Sequence, residues 1–447
     1  MRTIDVNAVI EAAPVGPFHR RVLFWCTLII LFDGYDLVIY GVVLPRLMEQ
    51  WQLSPLAAGL LGSSALFGMM VGAMGFGMLA DRLGRKTGII VCVVLFSTVT
   101  VLNGAAATPL QFGVLRFLAG LGIGGVMPNV VALLTEYAPR KSRSTMVAMM
   151  CSGYSIGGMT SAGLGIWVVP AFGWQAMFYL AVVPLMLLPL LIRALPESTA
   201  FLLRRGREAE VRRILAAVDP RRAASAADVL VVPAGERAAA PLAELFRERR
   251  ATSTLMFWTA FFMCLLMVYA LGFWLPKLMT VAGYGLASGL AFLMMLNMGA
   301  IVGAIGGAWI ADRSNLRVVL AAYFLTAALS LGLLGFDSPT WVLYALITVA
   351  GATTVGSQTL LYAYAAQFYP ARVRSTGVGW ASGVGRTGAI VGPLLAGGLF
   401  ALALPHHLNF AALAIPSLIA ATAVVFVNGR IGALTAPAAG PVPEPGG

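Results

Sequence analysis

Five charged residues stand where charge is costly. Asp33, Asp36, Arg116, Glu136 and Arg386 each fall within or at the end of a long apolar stretch. A charge at the centre of a membrane-crossing helix costs roughly 2.5–3.5 kcal/mol on insertion scales, so such residues tend to be kept for substrate or proton paths. Asp33 and Asp36 are three residues apart and share a helix face, with Tyr40 one turn further. Two neighbouring carboxylates in apolar surroundings suit reversible protonation. Arg386 supplies the planar fork that binds both oxygens of a carboxylate, and Arg116 is a second such group. Residues of these types at such depth could hold an oxyanion and carry a proton. No G-x-x-x-x-G-K-[ST] phosphate loop occurs, so nothing points to ATP drive or a covalent step. Cys26, Cys92, Cys151 and Cys264 are scattered through apolar stretches and suggest packing, not a disulfide framework or a metal site. No cofactor is expected, and the chain is not read as an enzyme.

The elements that must hold these residues follow from composition. The 447 residues are 59% hydrophobic and 11% charged, with a mean hydropathy of +0.87, whereas soluble domains carry about 25% charged residues. A soluble enzyme is excluded, and the apolar stretches are too long for an outer-membrane barrel. Twelve spans are predicted, at 22–45, 56–80, 87–107, 110–137, 144–168, 173–195, 252–276, 286–311, 317–336, 340–368, 375–402 and 408–428. The net charge of +12 has a topological cause and does not indicate nucleic acid: 26 of the 30 Lys and Arg fall on the side of the N-terminus. Only Arg46 and Lys277 lie opposite, and Arg116 and Arg386 lie within spans. Both termini are therefore expected in the cytoplasm. Asp5 and Glu11 break up any basic leader region, so span one is read as a retained insertion signal.

An internal repeat organises the chain. A shift of 231 residues lays Leu44-Pro45-Arg46-Leu47-Met48 on Leu275-Pro276-Lys277-Leu278-Met279, Gly72, Gly75, Ala80, Asp81 and Arg82 on Gly303, Gly306, Ala311, Asp312 and Arg313, and Pro139, Arg143, Ser144 and Thr145 on Pro370, Arg374, Ser375 and Thr376. Parallel repeats of this kind are one plan of secondary transporters, with substrate held near the midplane between halves. The expected fold is an all-α membrane protein, twelve transmembrane helices in two pseudo-symmetric six-helix bundles. The divisions are 1–195, a cytoplasmic central loop at 196–251 with a short amphipathic surface helix at 207–218, 252–430, and a disordered Pro/Gly/Ala tail at 431–447. The five charges fail to repeat. At the same shift Asp33, Asp36, Arg116, Glu136 and Arg386 face Cys264, Met267, Ile347, Gln367 and Ser155, so they need a reason beyond the shared scaffold.

The string Gly77-Met78-Leu79-Ala80-Asp81-Arg82-Leu83-Gly84-Arg85-Lys86 resembles the loop between spans two and three of the major facilitator superfamily, with a degenerate copy at Asp312-Arg313. Arg116-Phe117-Leu118-Ala119-Gly120-Leu121-Gly122 is similar to the family's span-four motif, and Pro196-Glu197-Ser198 recurs in several branches. Within the family, Asp33-Gly34-Tyr35-Asp36 matches the D-G-x-D signature of the aromatic acid and proton symporters. The run from Phe32 to Pro45 looks most like the benzoate-transporting members.

The resemblance implies import of an aromatic carboxylate with protons, by alternating access, in a bacterial-type inner membrane and by a monomer. Asp33 and Asp36 would couple protons, and Arg386 and Arg116 would meet the substrate carboxylate. Family precedent lines the cavity with spans one, four, seven and ten, which brings forward Tyr35, Tyr269, Gln358 and Tyr362 for the ring, with Trp380 of span eleven beside them. Asp81, Arg82, Arg85, Glu136, Asp312 and Arg313 would gate, Glu136 by pairing with loop arginines. Alternatives left open are a related acid (4-hydroxybenzoate, protocatechuate or muconate) and a drug or metabolite antiporter. The antiporter is disfavoured because Gly153-Tyr154-Ser155-Ile156-Gly157-Gly158 lacks the expected proline. A sugar porter and a transporter-like sensor are weaker rivals.

Overall fold

A computed structural model describes residues 3–219, 228–232, 242–247 and 249–428, apart from the side chains of Asp81, Ala371, Arg372 and His406. The proposed tail at 431–447 and parts of the central loop lie outside the described residues.

Among the described residues, twelve helices are long and apolar enough to cross a membrane: Pro17–Gln50, Pro55–Ala80, Arg85–Asn103, Pro109–Tyr137, Arg143–Phe172, Trp174–Ala194, Ala251–Val281, Leu286–Ala311, Leu316–Leu333, Thr340–Phe368, Val373–Ala401 and His407–Phe426. They are called spans one to twelve. In a bilayer every backbone polar group must be satisfied within the protein, which the helix does by itself. Ser54 and Thr108 cap spans two and four, each just before a proline at the first helical position, as the missing proline N–H costs nothing there.

Two predictions are refined. The stretch 173–195, predicted as one span, breaks into Trp174–Tyr179, Leu180–Val182, Val183–Met186 and Leu188–Ala194, where Pro184 and Pro189 supply no N–H to the ladder. The chain is also not wholly helical. Thr3–Asp5 pairs in parallel with Val229–Val231, with Ile4 opposite Leu230. Three-residue strands carry too little periodicity to be read from sequence. Asp5 then caps a short helix, Val6–Ala12, by accepting from the Asn7 and Ala8 N–H groups. The amphipathic helix of the central loop runs Glu208–Val218, burying Val211, Leu215 and Val218.

Within each half the helices approach to backbone contact at small residues. A methyl group at Gly72 would overlap the Leu121 carbonyl, and at Gly303 the Ala352 carbonyl; at Gly157 it would strike Leu31, and at Gly388 Phe262. Each pair of contacts is related by the same 231-residue shift found in the sequence, so the repeat extends from residue identity to packing. Membrane helices associate through such close packing, since lipid tails are as apolar as leucine.

The two halves meet most tightly on the side away from the termini. Span one crosses span seven where Gly41 lies on the Gly272 carbonyl, and these glycines are themselves repeat mates. Tyr40 packs edge-on against Phe273 with ring centroids 5.4 Å apart. Ser63 of span two donates to the Ile390 carbonyl of span eleven at 2.6 Å, and Gly59 abuts Pro393. These contacts close the far side of the interface.

Gly157→Val and Gly388→Val should each lower the thermal midpoint of the purified protein, because overpacking costs about 1–3 kcal/mol. Gly398, where an added methyl meets nothing within 4 Å, should accept alanine without loss. Thermal unfolding in detergent checks all three.

Candidate functional site

Asp33 lies two turns from Gly41 on the terminal side, just beyond the closed contacts. It is 2% exposed and its Oδ1 has no hydrogen-bond partner among the described residues. Span five is pressed against it, since a methyl at Gly34 would overlap the backbone of Tyr154. The phenol groups of Tyr154 and Tyr269 come near enough to influence one another, one on span five of the first half and the other on span seven of the second. Arg386 of span eleven is near enough to act by charge on Asp33, Tyr154 and Tyr269. It is half-buried, and no carboxylate among the described residues lies within ion-pair distance of it.

Aromatic side chains surround this level. Tyr269 stands edge-on to Phe273, and Tyr362 edge-on to Phe261 at 5.0 Å. The Tyr362 hydroxyl is engaged with Ser382 Oγ at 2.7 Å. Gln358, half-buried, is one turn from Tyr362 on the same face of span ten. The arrangement offers an unpaired guanidinium, a carboxyl group opposite it on the other half, and flat apolar faces between. It can take an aromatic anion on the cation and a proton on the carboxylate.

Comparison with known proteins identifies the scaffold. The family model described as Major Facilitator Superfamily matches residues 26–337 and 293–444. The chain belongs to this superfamily. As a member it is a membrane transporter and not an enzyme. Among curated relatives, the benzoate transport protein of Acinetobacter baylyi is 50% identical over 436 residues, covering 96% of this chain and 94% of its own length. The gallate transporter of Pseudomonas putida is 37% identical, covering 96% of this chain and 95% of its own. Among solved structures, the partially occluded inward-open xylose transporter from E. coli superposes with a TM-score of 0.71 at 16% identity over 92% of this chain and 98% of its own, a likeness of fold.

In this transporter the sequence-derived site residues divide into groups. Asp33, Tyr269 and Arg386 come together at the interface, with Tyr362 and Gln358 on the adjoining wall. Arg116 and Asp36 do not join them. Arg116 is fully buried within the N-terminal half, and its Nη1 lies 3.4 Å from Asp36 Oδ1 and donates to the Asp36 backbone carbonyl at 3.2 Å. Thr100 of span three donates to the same carboxylate at 2.8 Å. The expectation that Arg116 meets a substrate carboxylate is corrected: its charge is committed to Asp36. Although Asp33 and Asp36 are one turn apart, the 60° between positions three apart directs one toward spans five and eleven and the other toward spans three and four.

Two aromatic expectations are also corrected. Tyr35 donates to the Met177 carbonyl of span six at 2.8 Å and is buried inside its own half. Trp380 stacks on Trp258 at 6.0 Å, and Phe246 of the central segment packs on the other edge of Trp258. That places Trp380 toward the terminal side, away from the level of Arg386. Tyr154 was not anticipated, because a tyrosine among many carries no charge signal. Its nearness to Ser155, the repeat mate of Arg386, was the available hint.

The gating residues show a network around Pro196-Glu197-Ser198. Glu197 Oε1 accepts from the Lys86 and Ser198 N–H groups at 3.0 and 2.9 Å, tying the end of span six to the start of span three. The Tyr137 hydroxyl donates to the Glu197 carbonyl. Glu136 does not pair with loop arginines as expected. Its Oε1 accepts from Ser198 Oγ, Thr199 Oγ1 and the Ala200 N–H at 3.0, 2.7 and 3.3 Å, because the helix start at Thr199 presents free donors that attract an anion. Arg82 is exposed, Arg85 is half-buried and engaged, and the Asp81 side chain lies outside the described residues. Asp312 is exposed, and Arg313 lies 4.0 Å over the Trp309 ring of its own helix. Among the described residues neither makes a hydrogen bond or ion pair to the first half.

Arg116→Leu should destabilise the protein strongly, since leaving one member of a buried pair alone costs about 3–5 kcal/mol. Asp36→Leu with Arg116→Leu should recover a large part of that loss, as read by thermal midpoints of the two single variants and the double.

Proposed function

We propose that the protein is a proton-coupled importer of an aromatic carboxylate, benzoate first, working by alternating access. The observation that carries this reading is Arg386: a guanidinium within the membrane, without an anionic partner among the described residues, facing an unsatisfied carboxyl group on the other half. An unpaired cation at that depth is costly unless an anion visits it. The 50% identical relative named a benzoate transport protein supplies the substrate, and the aromatic faces of Tyr269, Phe273 and Tyr362 suit a planar ring.

In this mechanism the benzoate carboxylate takes the fork of Arg386 and the ring lies between the halves. Asp33 carries the proton. Asp36, held by Arg116 and Thr100, sets the local charge that Asp33 feels. The bodies that rock are residues 1–195 and 252–430, joined by 196–251, and breaking the far-side contacts of Gly41, Ser63 and Gly59 opens the site to the other side. Asp81, Arg82, Arg85, Asp312 and Arg313 form the terminal-side gate when that end closes. The positive-inside bias supports cytoplasmic termini in an inner membrane, and a site formed within one chain supports a functional monomer.

The test is uptake of labelled benzoate into proteoliposomes. One proton moving with one monoanion is electroneutral, so accumulation should follow an inside-alkaline pH gradient and not respond to membrane potential. A second proton would add about 2.3 kcal/mol per 100 mV of voltage sensitivity. Uptake of another acid in preference to benzoate overturns the substrate, and uptake with no response to the pH gradient overturns the coupling. Arg386→Ala should abolish benzoate binding measured by calorimetry. Asp33→Asn should abolish pH-driven accumulation while sparing benzoate exchange; normal accumulation by that variant would show that Asp33 is not the proton carrier.

A further inference from the structure

The inside of the N-terminal half holds polar atoms that the mechanism above does not use. Span three bonds Asp36 through Thr100, and Ser97 and Asn103 follow it one turn to either side, the three positions winding about 120° around the helix. All three are fully buried. Thr100 is satisfied by Asp36, but Ser97 Oγ and both the Oδ1 and Nδ2 atoms of Asn103 have no hydrogen-bond partner among the described residues. On the opposing helix, Arg116 Nε and Nη2 are equally without partners. Five orphaned atoms thus lie on Arg116 itself or within one helical turn of Thr100, which bonds its partner Asp36. A buried polar atom left unsatisfied costs about 1–3 kcal/mol, and proteins usually meet that cost with internal water held by two to four polar groups. Packing or a fold-level role accounts poorly for them: the repeat mates of Ser97, Thr100 and Asn103 are Ala328, Leu331 and Leu334, so the C-terminal half builds the same helix with apolar residues.

The direction of this row has meaning. Span three runs away from the terminal side, so Ser97 is one turn nearer the termini than Thr100 and Asn103 one turn further, about 4.5 Å each way at 1.5 Å per residue. Asn103 is the last residue of its helix, and the next residue, Gly104, is covered by Tyr179 of span six, whose hydroxyl donates to the Gly104 carbonyl at 3.1 Å. The row leads from the far surface, beneath that cover, to Asp36, and Asp33 is one turn beyond.

We propose that Ser97, Thr100 and Asn103 form a hydrated polar seam through the N-terminal half, a water-binding site that passes a proton between the far side and Asp33, past Asp36, by a route separate from that of the carboxylate substrate. The seam rests on the proton-coupled reading given above. Water bridges Asn103, the free guanidinium nitrogens of Arg116 and Ser97. Closure by span six keeps the seam from leaking while the domain interface is open toward the termini.

The experiment separates proton movement from substrate movement. Wild type, Asn103→Leu, Ser97→Ala and Asn103→Ser are reconstituted, and benzoate uptake driven by a pH gradient is compared with benzoate counterflow at equal pH, which needs no net proton transfer. Asn103→Leu fills the same space without polar atoms and should cut pH-driven uptake to roughly a tenth or less, the scale of losing a positioned proton relay, with counterflow at the wild-type rate. Ser97→Ala should show the same split more weakly, and Asn103→Ser, which keeps a hydroxyl and leaves room for water, should retain pH-driven uptake. Equal loss of both rates in Asn103→Leu and Ser97→Ala, or unchanged pH-driven uptake in both, overturns the seam. Failure of the wild type to use the pH gradient at all would instead overturn the coupling on which it rests.

Discussion

The constraint on which the first half depends is the pairing of Asp36 with Arg116 out of reach of water. Neither residue tolerates the membrane interior alone, and together they need further donors and acceptors to offset their lost hydration. Thr100, the Asp36 backbone carbonyl and the packing of spans one, three and four provide that setting. The pair consumes the charge of Arg116 and turns Asp36 inward, which leaves Asp33 as the one carboxylate of span one that faces the other half. Two carboxylates of a single helical turn therefore sit in different surroundings, one paired within its own half and one turned to the other half.

The two halves share a scaffold and differ in charge. The matched contacts of Gly72 with Leu121 and Gly303 with Ala352 show that the same small-residue crossings build both bundles. The ionisable groups respect no such symmetry: the first half contributes Asp33, Asp36 and Arg116, and the second contributes Arg386. A transporter that binds an anion and a proton needs the two charges on opposite walls, so that occupancy by both neutralises the interface before it rocks. Duplication supplied the walls, and divergence at Asp33 and Arg386 supplied the difference between them.

Much of this was legible in the sequence because membrane helices are written in long apolar runs, and because a 231-residue shift aligns glycines whose role is close approach. Asp33 and Arg386 each stand 11 residues into predicted spans that run in the same direction, 22–45 and 375–402, so their common level can be counted. The partners of Arg116, Tyr35 and Glu136 were not legible. Depth along a helix can be counted, but the azimuth of a side chain depends on which neighbour packs against it. Arg116 and Arg386 look alike in sequence, and only the packing of span three against spans one and four separates them. Tyr154 was hidden for a related reason: it works by reaching across an interface that no local pattern announces.

The small parallel sheet gives the central loop a different character from that of a simple linker. Because Thr3–Asp5 holds Val229–Val231, while Glu11 bonds Arg143 at 2.9 Å and accepts from the Arg140 N–H, much of the segment after span six is stapled to the first half. Closing a loop early removes chain length from what remains. The tether between the two bodies is thus not the whole of 196–251 but only the stretch beyond residue 231, and a short tether limits how far one body can swing from the other. The extreme N-terminus, remote from the substrate in both sequence and space, thereby sets the length of the leash.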